Sequence, residues 1–305
     1  MNIGIIGAGA IGLLCAYHLN KKHEVTLYVR SEQQIQQLRK KGLCYTYKKE
    51  TKCAEINVKR FEDWIGEDDL TIVAVKQYQM QSIYMKMEQL SGSIKAMLFL
   101  QNGMSHLQMV RKTSVSNVMI GMVEHGAMKE NEHTVVHTGI GAIKLSVIKG
   151  SGEQIVSELV QNNLSSFQII HEPNYLAIMQ RKLFVNSIVN PLTSILKIQN
   201  GQLLENDYYH QLMNLLMEEI VRILSISDSE RVEYQQYCLH VIKKTAHNKS
   251  SMLRDIEENR ETEIDAILGY IIEEAKRKKI KAPISTSYYY MVKGIEQTVE
   301  RSGKA

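Results

Sequence analysis

The sequence has 305 residues, of which 44% are hydrophobic and 23% are charged, with 18 glycines and 3 prolines. At about 150 residues per domain this length predicts two domains, and the composition excludes collagen-like, disordered and low-complexity chains. The formal charge is only +4, and the single short basic run at 276–279 is typical of a solvated helix end, so we expect no nucleic-acid partner.

The first half of the chain alternates between strand and helix patterns. A glycine-rich turn and a helix follow the first strand, and Ser31 is predicted to cap a second helix that ends at Gly42. Alternating strands and helices predict a parallel sheet covered on both faces, and the last three strands, which are closely spaced, predict an antiparallel addition at its edge. The strand patterns occur at 3–6, 24–29, 70–75, 96–100, 118–123, 133–137 and 142–147.

Beyond about residue 150 strand patterns nearly vanish, and segments with a 3.6-residue period take over. The predicted helices are 154–164, 175–188, 210–224, 232–245, 264–278 and 285–300. A polar stretch in which Pro173 interrupts any continuing helix separates the two halves. We therefore predict an α/β domain over 1–167 and an all-α domain over 168–305.

The four cysteines, Cys15, Cys44, Cys53 and Cys238, form neither a C-x-x-C pair nor a zinc-ligand pattern, so we expect reduced thiols and no metal. Residues 3–16 are nearly all apolar or small, but no basic segment precedes them and charged residues follow closely, which argues against a signal peptide. No segment approaches the roughly 18 unbroken apolar residues of a membrane span, so we expect a cytoplasmic protein without a membrane partner.

A G-x-G-x-x-G pattern occupies residues 7–12, directly after the first predicted strand and at the start of a helix. In this context the first glycine permits a tight turn, the second lets the backbone approach a pyrophosphate, and the third lets helix and strand pack closely. The helix N-terminus then presents its free N–H groups to the phosphates. The alternative is a merely structural turn. The predicted dinucleotide-binding residues are Gly7, Ala8, Gly9, Ala10, Ile11 and Gly12.

The residue after the second strand distinguishes NADP from NAD. NAD-binding proteins usually place an acidic residue there to hold the ribose 2′-hydroxyl, whereas this chain has Arg30, whose charge suits a 2′-phosphate. Glu32 follows closely and could still hold the ribose, and Arg30 could be a surface cation without a ligand. The sequence favours NADP(H), and Arg30→Ala is expected to weaken NADPH binding while leaving NADH binding nearly unchanged.

Polar residues also follow two later strands of the predicted sheet. Lys76 follows the strand that ends at residue 75, and Asn102 follows the strand that ends at residue 100. Ligands of open parallel sheets lie outside the carboxyl ends of the strands, and Gln79 could point into the same crevice. Lys76 and Asn102 could each equally be an ordinary loop residue.

Three polar residues recur along the apolar helix predicted from residue 175. Lys182, Asn186 and Asn190 are spaced i, i+4 and i+8, which places them on one helix face. A solvated outer face is the usual explanation of such a stripe, but amides are poor choices there and apolar residues surround it on most sides. Pro191 is expected to bend or end the helix, which often happens at a functional site.

A second unusual region lies between residues 250 and 265. It contains the stretch Ser-Ser-Met-Leu-Arg-Asp at 250–255 and the stretch Thr-Glu-Ile-Asp at 262–265. Thr262 is predicted to cap a helix with Asp265 in the capping-box position, which places Glu263 in the first turn. A first-turn glutamate commonly complements the helix dipole, and local sequence assigns it no further role.

Together these segments resemble the ketopantoate reductase family (2-dehydropantoate 2-reductase) along essentially the whole chain. Many oxidoreductases share the glycine loop, whereas the lysine–asparagine helix together with the Ser-Ser-Met-Leu and Thr-Glu-Ile-Asp segments is far more specific. One departure is Leu268-Gly269, where the family often has Asn-Gly. The other matching segments are 75–79, 100–103, 182–186, 190–193 and 200–201.

The resemblance implies a Rossmann-type N-terminal domain, a helical C-terminal domain and an active-site cleft between them. It implies NADPH-dependent reduction of 2-dehydropantoate to (R)-pantoate in pantothenate and coenzyme A biosynthesis. In this family Lys182 would be the catalytic acid, and Asn102 and Glu263 would lie near nicotinamide and substrate. The remaining implied residues are Ala127 at the cofactor and Asn186, Asn190, Asn200 and Ser251 at the substrate.

The residue types suit that chemistry independently. Hydride delivered to a ketone carbon leaves an alkoxide, which needs a proton donor and a positive charge nearby, and the ammonium of Lys182 supplies both. A carboxylate at Glu263 can accept the substrate hydroxyl and orient Lys182, while the amides fix hydroxyl and carbonyl groups.

Two other functions stay open at the level of sequence. A reductase of another small 2-keto acid would use the same scaffold with a few changed pocket contacts. A non-catalytic NADP(H) sensor would bind the cofactor without turnover, but it gives no reason for the stripe that begins at Lys182. Helical surfaces such as 285–300 could pack within the chain or across a homodimer, and the sequence does not decide between these arrangements.

Overall fold

The computed structural model describes residues 1–90, 92–101, 113–161 and 164–302, and it divides the chain into two compact units. The first unit extends to Tyr175 and the second begins at Leu176. The strands of the first unit are β1 (Asn2–Ile6), β2 (Glu24–Val29), β3 (Leu43–Tyr47), β4 (Glu50–Ala54), β5 (Asn57–Arg60), β6 (Leu70–Val73), β7 (Ala96–Phe99), β8 (Asn117–Val123), β9 (Gly126–Lys129), β10 (Thr134–Gly139), β11 (Ala142–Lys149) and β12 (Gln168–His171).

The larger sheet has the strand order β12-β11-β8-β7-β6-β1-β2-β5. Its neighbouring strands are parallel except β8 and β11, which are antiparallel, so the predicted parallel sheet with an antiparallel addition is confirmed. The chain builds outward from β1 through β2 to β5 and then returns to the other side of β1 at β6. The topological switch point, where open α/β sheets bind ligands, therefore lies between β1 and β6.

The helices of the first unit follow their predicted signals. Among the described residues, the α-helices are α1 (Ala10–Leu19), α2 (Glu32–Lys41), α3 (Met80–Gln89) and α4 (Glu153–Gln161). At the start of α2, the Ser31 hydroxyl accepts a hydrogen bond from the Gln34 N–H at 3.2 Å, and at its end Gly42 has a φ of 72°, which favours glycine. Every residue of α1 from Gly12 onward is buried, because α1 packs against strands of both sheets of this unit.

A smaller sheet with the order β4-β3-β10-β9 was not predicted, and β10 belongs to it instead of to the edge of the larger sheet. Its β3–β4 hairpin turns at Lys48 and Lys49, whose φ angles are 48° and 69°. Two-residue hairpin turns with two left-handed residues usually contain asparagine, aspartate or glycine. Because lysines occupy this turn, the sequence lacks the ordinary hairpin signal.

The hairpin also corrects the expectation that all cysteines are reduced. Cys44 and Cys53 lie opposite each other in the β3–β4 register and form a disulfide bond. Cys15 and Cys238 are free and buried, and burial raises the pKa of each thiol to about 12. No group of three or more metal-ligating side chains with a suitable arrangement occurs within the described ranges.

A buried cluster of histidines and aromatic rings includes His18, near the C-terminal end of α1. His18 stacks on Phe167 with 4.6 Å between ring centroids, and neither of its ring nitrogens has a hydrogen-bond partner among the described residues. His137 is hydrogen-bonded to the Tyr45 hydroxyl at 3.0 Å and to His125 at 3.1 Å. Burial lowers the pKa of His18 to about 3 and that of His125 to about 4, so both rings are neutral at pH 7.

The second unit is helical, as predicted. Its elements are α5 (Tyr175–Leu196), α6 (Gln202–Glu205), α7 (Asp207–Leu224), α8 (Asp228–Lys244), α9 (Ser251–Glu257), a π-helical turn (Asp265–Gly269), α10 (Tyr270–Arg277) and α11 (Pro283–Ser302). Contrary to one of the two predicted outcomes, α5 does not end at Pro191 but continues for another turn and a half. Residues 187–194 are all buried, and this packing retains the helix although proline removes one backbone hydrogen bond.

The unit boundary lies later than the sequence predicted. The strand β12 pairs in parallel with β11, so the predicted boundary between residues 167 and 168 falls before the last strand of the first unit. Only Ile169 of this strand is buried, which leaves too weak a pattern to recognise. In the described part of the chain, no helix is both long and apolar enough to cross a membrane.

Candidate active-site residues of the two units

The three glycines of the G-x-G-x-x-G loop differ in their surroundings. Gly7 has a φ of +103°, and a Cβ on Gly12 would lie 1.8 Å from the Gly7 carbonyl oxygen. A Cβ on Gly9 would meet no described atom within 4 Å, and Gly9 is exposed at the N-cap of α1. The next residues, Ala10 and Ile11, are half-buried. The tight turn, the open backbone and the close packing are the three features that a pyrophosphate-binding loop requires.

A buried side chain from α2 supports this loop. The Gln34 side-chain N–H donates hydrogen bonds to the carbonyl oxygens of Ala8, at 2.8 Å, and Glu132, at 2.9 Å. Ala8 is itself buried, so the amide fixes the backbone of the loop from behind. Gln34 was not among the residues predicted from the sequence. Its burial is indicated only by its position four residues before Leu38, on the same face of α2.

Arg30 lies where the strands β2 and β5 end. Its guanidinium carbon is 4.8 Å from the centroid of the Phe61 ring, within the range of a cation–π contact. The guanidinium also donates a hydrogen bond to the Ser82 hydroxyl in α3, and Ser82 donates to the carbonyl oxygen of Gln79 at 2.9 Å. Ser82, which sequence analysis missed, therefore joins two residues that were predicted separately to bind the cofactor.

Lys76 lies at the carboxyl end of the sheet, near the switch point. It is half-buried, and it precedes a short 3₁₀ turn that contains Gln79. The adjacent Val75 lies against the glycine loop, since a Cβ on Gly7 would be 2.7 Å from its Cγ1. The Gln101 side chain donates to the carbonyl oxygens of Val73 and Val75 at 2.9 and 3.2 Å, which holds the ends of β6 and β7 together.

Two further predicted residues, Ala127 and Asn102, are not among the residues at the glycine loop and the strand ends described above. Ala127 lies in β9 of the smaller sheet, paired with His137, and its side chain packs against the hydrophobic core of the first unit. The residue as a whole is half-buried. Asn102 lies outside the described residues.

The polar stripe of α5 becomes more buried along the helix. Lys182 and Asn186 are half-buried, whereas Asn190 is only 5% exposed. A fully solvated face, the usual explanation of such spacing, therefore does not apply to this stripe. Buried amides require hydrogen-bond partners, which makes the stripe a candidate for ligand contacts.

The end of this stripe is tied to the Ser-Ser-Met-Leu segment. The hydroxyl groups of Thr193, one turn after Asn190, and Ser250 are hydrogen-bonded at 2.8 Å. Ser250 Oγ also accepts the Leu253 N–H at 3.1 Å and so caps α9, in whose first turn Ser251 is exposed. The hydrogen bond brings the Asn190 and Ser251 regions, predicted separately, into one neighbourhood.

Asn200 is a buried residue with an unused acceptor. Its side-chain amide N–H donates to Thr245 Oγ1 at 3.0 Å, and its backbone N–H donates to the Asn248 carbonyl oxygen at 3.0 Å. Its side-chain oxygen Oδ1 is buried and has no partner among the described residues. Because buried amide oxygens ordinarily have a donor, Asn200 is suited to accept a hydrogen bond from a hydroxyl group.

Glu263 is half-buried in the segment before the π-helical turn, and the predicted capping box around it does not form. Thr262 Oγ1 accepts the Ile264 N–H at 3.2 Å, whereas the Asp265 carboxylate accepts the hydroxyl hydrogen of Tyr289 in α11. The Thr262 N–H instead donates to the carboxylate of Glu296, in α11, at 2.8 Å. A distant acidic residue therefore fixes the backbone next to Glu263, and π-helical turns of this kind are frequent at functional sites.

Charged groups of α11 hold the π-helical turn. Lys293 lies 2.9 Å from Glu296 and 3.2 Å from Asp265, and Tyr289 donates its hydroxyl hydrogen to Asp265 at 2.6 Å. Burial opposes the charge of Lys293, but its hydrogen bonds to the two carboxylates outweigh this and raise its pKa above the ordinary value. The hydrogen bond to Asp265 raises the pKa of Tyr289 to about 12.

Comparisons with known proteins match both units. The family model "Ketopantoate reductase PanE/ApbA" matches residues 3–150, and "Ketopantoate reductase PanE/ApbA C terminal" matches residues 174–296. The 2-dehydropantoate 2-reductase of Bacillus subtilis is 36% identical over 305 residues, which covers 99% of both sequences.

Solved structures show the same fold. A crystal structure of a probable 2-dehydropantoate 2-reductase from Bacillus subtilis has a TM-score of 0.87 at 35% identity and covers 97% of this chain and 100% of that one. D-mandelate dehydrogenase with NADH and anilino(oxo)acetate has a TM-score of 0.87 at 24% identity and covers 98% and 99%. A dimeric ketopantoate reductase from Staphylococcus aureus has a TM-score of 0.76 at 20% identity and covers 98% and 100%.

Proposed function

The chain belongs to the ketopantoate reductase family, and we propose that it reduces 2-dehydropantoate to pantoate with NADPH. The observation that carries the proposal is the stripe of Lys182, Asn186 and Asn190 on α5, which is half-buried to buried and tied to the Ser250 segment. A proton donor with amides on the same helix face suits ketone reduction, which needs a general acid and groups that orient the substrate.

The first unit supplies the cofactor-binding residues. The loop around Gly9 is open where a pyrophosphate would lie, and the N-terminus of α1 offers its N–H groups to the phosphates. Arg30 would bind the 2′-phosphate, while Lys76 and Gln79 lie at the same carboxyl edge of the sheet. When bound, NADPH supplies the hydride that reduces the ketone carbon.

The second unit supplies the proton. As the carbonyl carbon of the substrate gains the hydride, its oxygen gains negative charge, and the ammonium of Lys182 stabilises this charge and transfers a proton to the oxygen. Glu263 accepts the substrate hydroxyl and orients Lys182, and the support of Thr262 by Glu296 limits the motion of its backbone. The product alcohol retains both the hydride and the lysine proton.

The remaining polar groups orient the keto acid. Asn186 and Asn190 are suited to its carbonyl and hydroxyl groups, and the buried Oδ1 of Asn200 can accept a hydrogen bond from the substrate hydroxyl. Ser251, exposed in the first turn of α9, can donate to the carboxylate together with backbone N–H groups of that turn.

The decisive experiment follows NADPH oxidation at 340 nm with 2-dehydropantoate, pyruvate, 2-ketoisovalerate and one aromatic 2-keto acid. We expect the highest kcat/KM with 2-dehydropantoate. A higher kcat/KM with another keto acid would identify that acid as the substrate. Tight NADPH binding without turnover of any of the four keto acids would indicate a non-catalytic NADP(H) sensor.

The role of Lys182 is tested by substitution. Lys182→Ala is expected to lower kcat by about 10²-fold or more, because it removes the proton donor. NADPH affinity should be unchanged, because Lys182 acts on the substrate oxygen and not on the cofactor. Lys243→Ala, which removes an exposed lysine of α8, is the matched control and should retain full activity. Near-normal turnover of Lys182→Ala would contradict the assignment.

We further propose that the chain forms a homodimer, which the dimeric Staphylococcus aureus relative supports. Light scattering coupled to size-exclusion chromatography measures the mass directly. A mass near that of one 34.9 kDa chain at micromolar concentration would refute this part of the proposal.

A further inference from the structure

An acidic side chain lies close to the residue that is proposed to bind the 2′-phosphate. Glu32 is two residues after Arg30, and an acid near the end of the second strand is the usual mark of NAD binding. In the structure, however, the Glu32 carboxylate is 2.5 Å from the guanidinium of Arg60. Its charge is therefore neutralised by a residue that is distant in sequence.

The strand pairing brings this second arginine to the first. β2 and β5 are parallel, with Val29 opposite Arg60 in the register, so the two strands end at the same edge of the sheet. Neighbouring strands are about 4.8 Å apart. The residues that follow the two strands, Arg30 and Phe61, are in contact. The segments after β2 and β5 therefore leave the sheet side by side.

We propose that Arg60 is a specificity-determining residue for NADPH, because it neutralises Glu32 at the edge where Arg30 receives the 2′-phosphate. The inference rests on the proposed function in that it takes Arg30 as the phosphate ligand. With Arg60 present, the Glu32 carboxylate is paired, and the charge of Arg30 is not offset by this acid. Without Arg60, the unpaired Glu32 repels the 2′-phosphate and offers an acceptor to the ribose hydroxyl of NADH.

A purely structural role would consist of joining α2 to β5. A second arginine makes such a link without any role toward the cofactor, since Arg39 donates a hydrogen bond to the Val58 carbonyl oxygen at 3.0 Å. Arg39 lies seven residues after Glu32 along α2, which corresponds to about 10 Å. It is exposed, like Arg60, and its removal changes the net charge by the same amount. Arg39→Ala is therefore the matched control.

The test measures NADPH, NADH and 2′,5′-ADP binding by isothermal titration calorimetry, without a keto acid. The proteins are the wild type, Arg60→Ala, Glu32→Gln, the double variant and Arg39→Ala. For Arg60→Ala we expect NADPH and 2′,5′-ADP to bind about 10-fold more weakly and NADH to bind within about twofold of the wild type. The double variant should recover most of the lost affinity, because it removes the acid that Arg60 neutralised, and Arg39→Ala should bind like the wild type.

Several results would overturn the inference. They are unchanged NADPH affinity in Arg60→Ala, an equal loss for NADH, an equal loss in Arg39→Ala, and no recovery in the double variant. A wild type that binds NADH as tightly as NADPH would overturn both the inference and the NADPH preference of the proposed function. Turnover of 2-dehydropantoate by the same samples tests the activity separately, so its failure cannot be confused with a failure of the Arg60 role.

Discussion

Gly9 and Gly12 of the cofactor loop should respond oppositely when each is replaced by alanine. A methyl group on Gly12 would lie 1.8 Å from the Gly7 carbonyl oxygen, so α1 and the loop must separate. Overpacking of this severity costs about 3 kcal/mol, which for a unit of this size lowers Tm by on the order of 10 °C. A methyl group on Gly9 meets no described atom within 4 Å, and the φ of −78° at this position suits alanine.

Gly9→Ala is therefore expected to melt within about 2 °C of the wild type, because an alanine at the N-cap costs only about 0.5 kcal/mol. Its NADPH affinity should nevertheless fall by about 10-fold or more, since the methyl group occupies the space of the pyrophosphate. Gly294→Ala, at an exposed position of α11 with no atom within 4 Å, is the control and should change neither property adversely.

Differential scanning fluorimetry and NADPH calorimetry on the three variants check this pair of predictions. If Gly9→Ala bound NADPH like the wild type, the open backbone would have no role in binding. If Gly12→Ala melted like the wild type, the steric argument for the third glycine would be wrong.

Three further perturbations test other parts of the structure. The free energy of unfolding should fall as the pH drops from about 6.5 towards 4, because the buried histidines can bind protons only after the chain unfolds. His18→Phe should make Tm depend less on pH over this range. The same pH dependence of Tm in wild type and variant would contradict this prediction. Under denaturing, non-reducing conditions a thiol reagent should titrate two cysteines per chain, Cys53→Ser should raise the count to three, and four in the wild type would exclude the disulfide. Glu296→Ala should lower kcat about 10-fold with NADPH affinity unchanged, whereas Glu296→Gln, which can still accept the Thr262 N–H, should retain most activity; equal effects would refute a positioning role.

Elements with local signals could be predicted from the sequence. β2 occupies the residues predicted for it, Glu24–Val29, and the Ser31 and Gly42 caps of α2 form as expected. These signals depend on a few adjacent residues, so tertiary contacts reinforce them but are not needed to recognise them.

The smaller sheet could not be predicted in this way. The Lys48-Lys49 turn lacks the residues that ordinarily mark a two-residue hairpin, and β10 pairs with β3 across almost ninety residues of chain. The Cys44–Cys53 pairing became recognisable only with the hairpin, because cysteine spacing alone does not indicate which strands face each other.

In the candidate site, too, the functional residues could be predicted from the sequence, but the residues that hold them in place could not. Chemistry singled out Arg30 and the resemblance singled out Glu263, but the groups that hold them come from far along the chain. Arg30 and Ser82 are 52 residues apart, and Thr262 and Glu296 are 34 residues apart. No periodic pattern links residues over such distances, so positioning residues become visible only in the folded chain.

Glu32 illustrates why a cofactor rule based on one strand end is incomplete. Taken with Arg30 alone, this acid would offset the positive charge for which the sequence favours NADP(H). The partner that decides the balance, Arg60, enters through the β2–β5 pairing, and its charge matters because it lies 2.5 Å from the acid. The electrostatic potential at the 2′-phosphate therefore depends on residues at the ends of both β2 and β5. A relative with Arg30 and Glu32 but no cation at the end of β5 should discriminate less between NADPH and NADH.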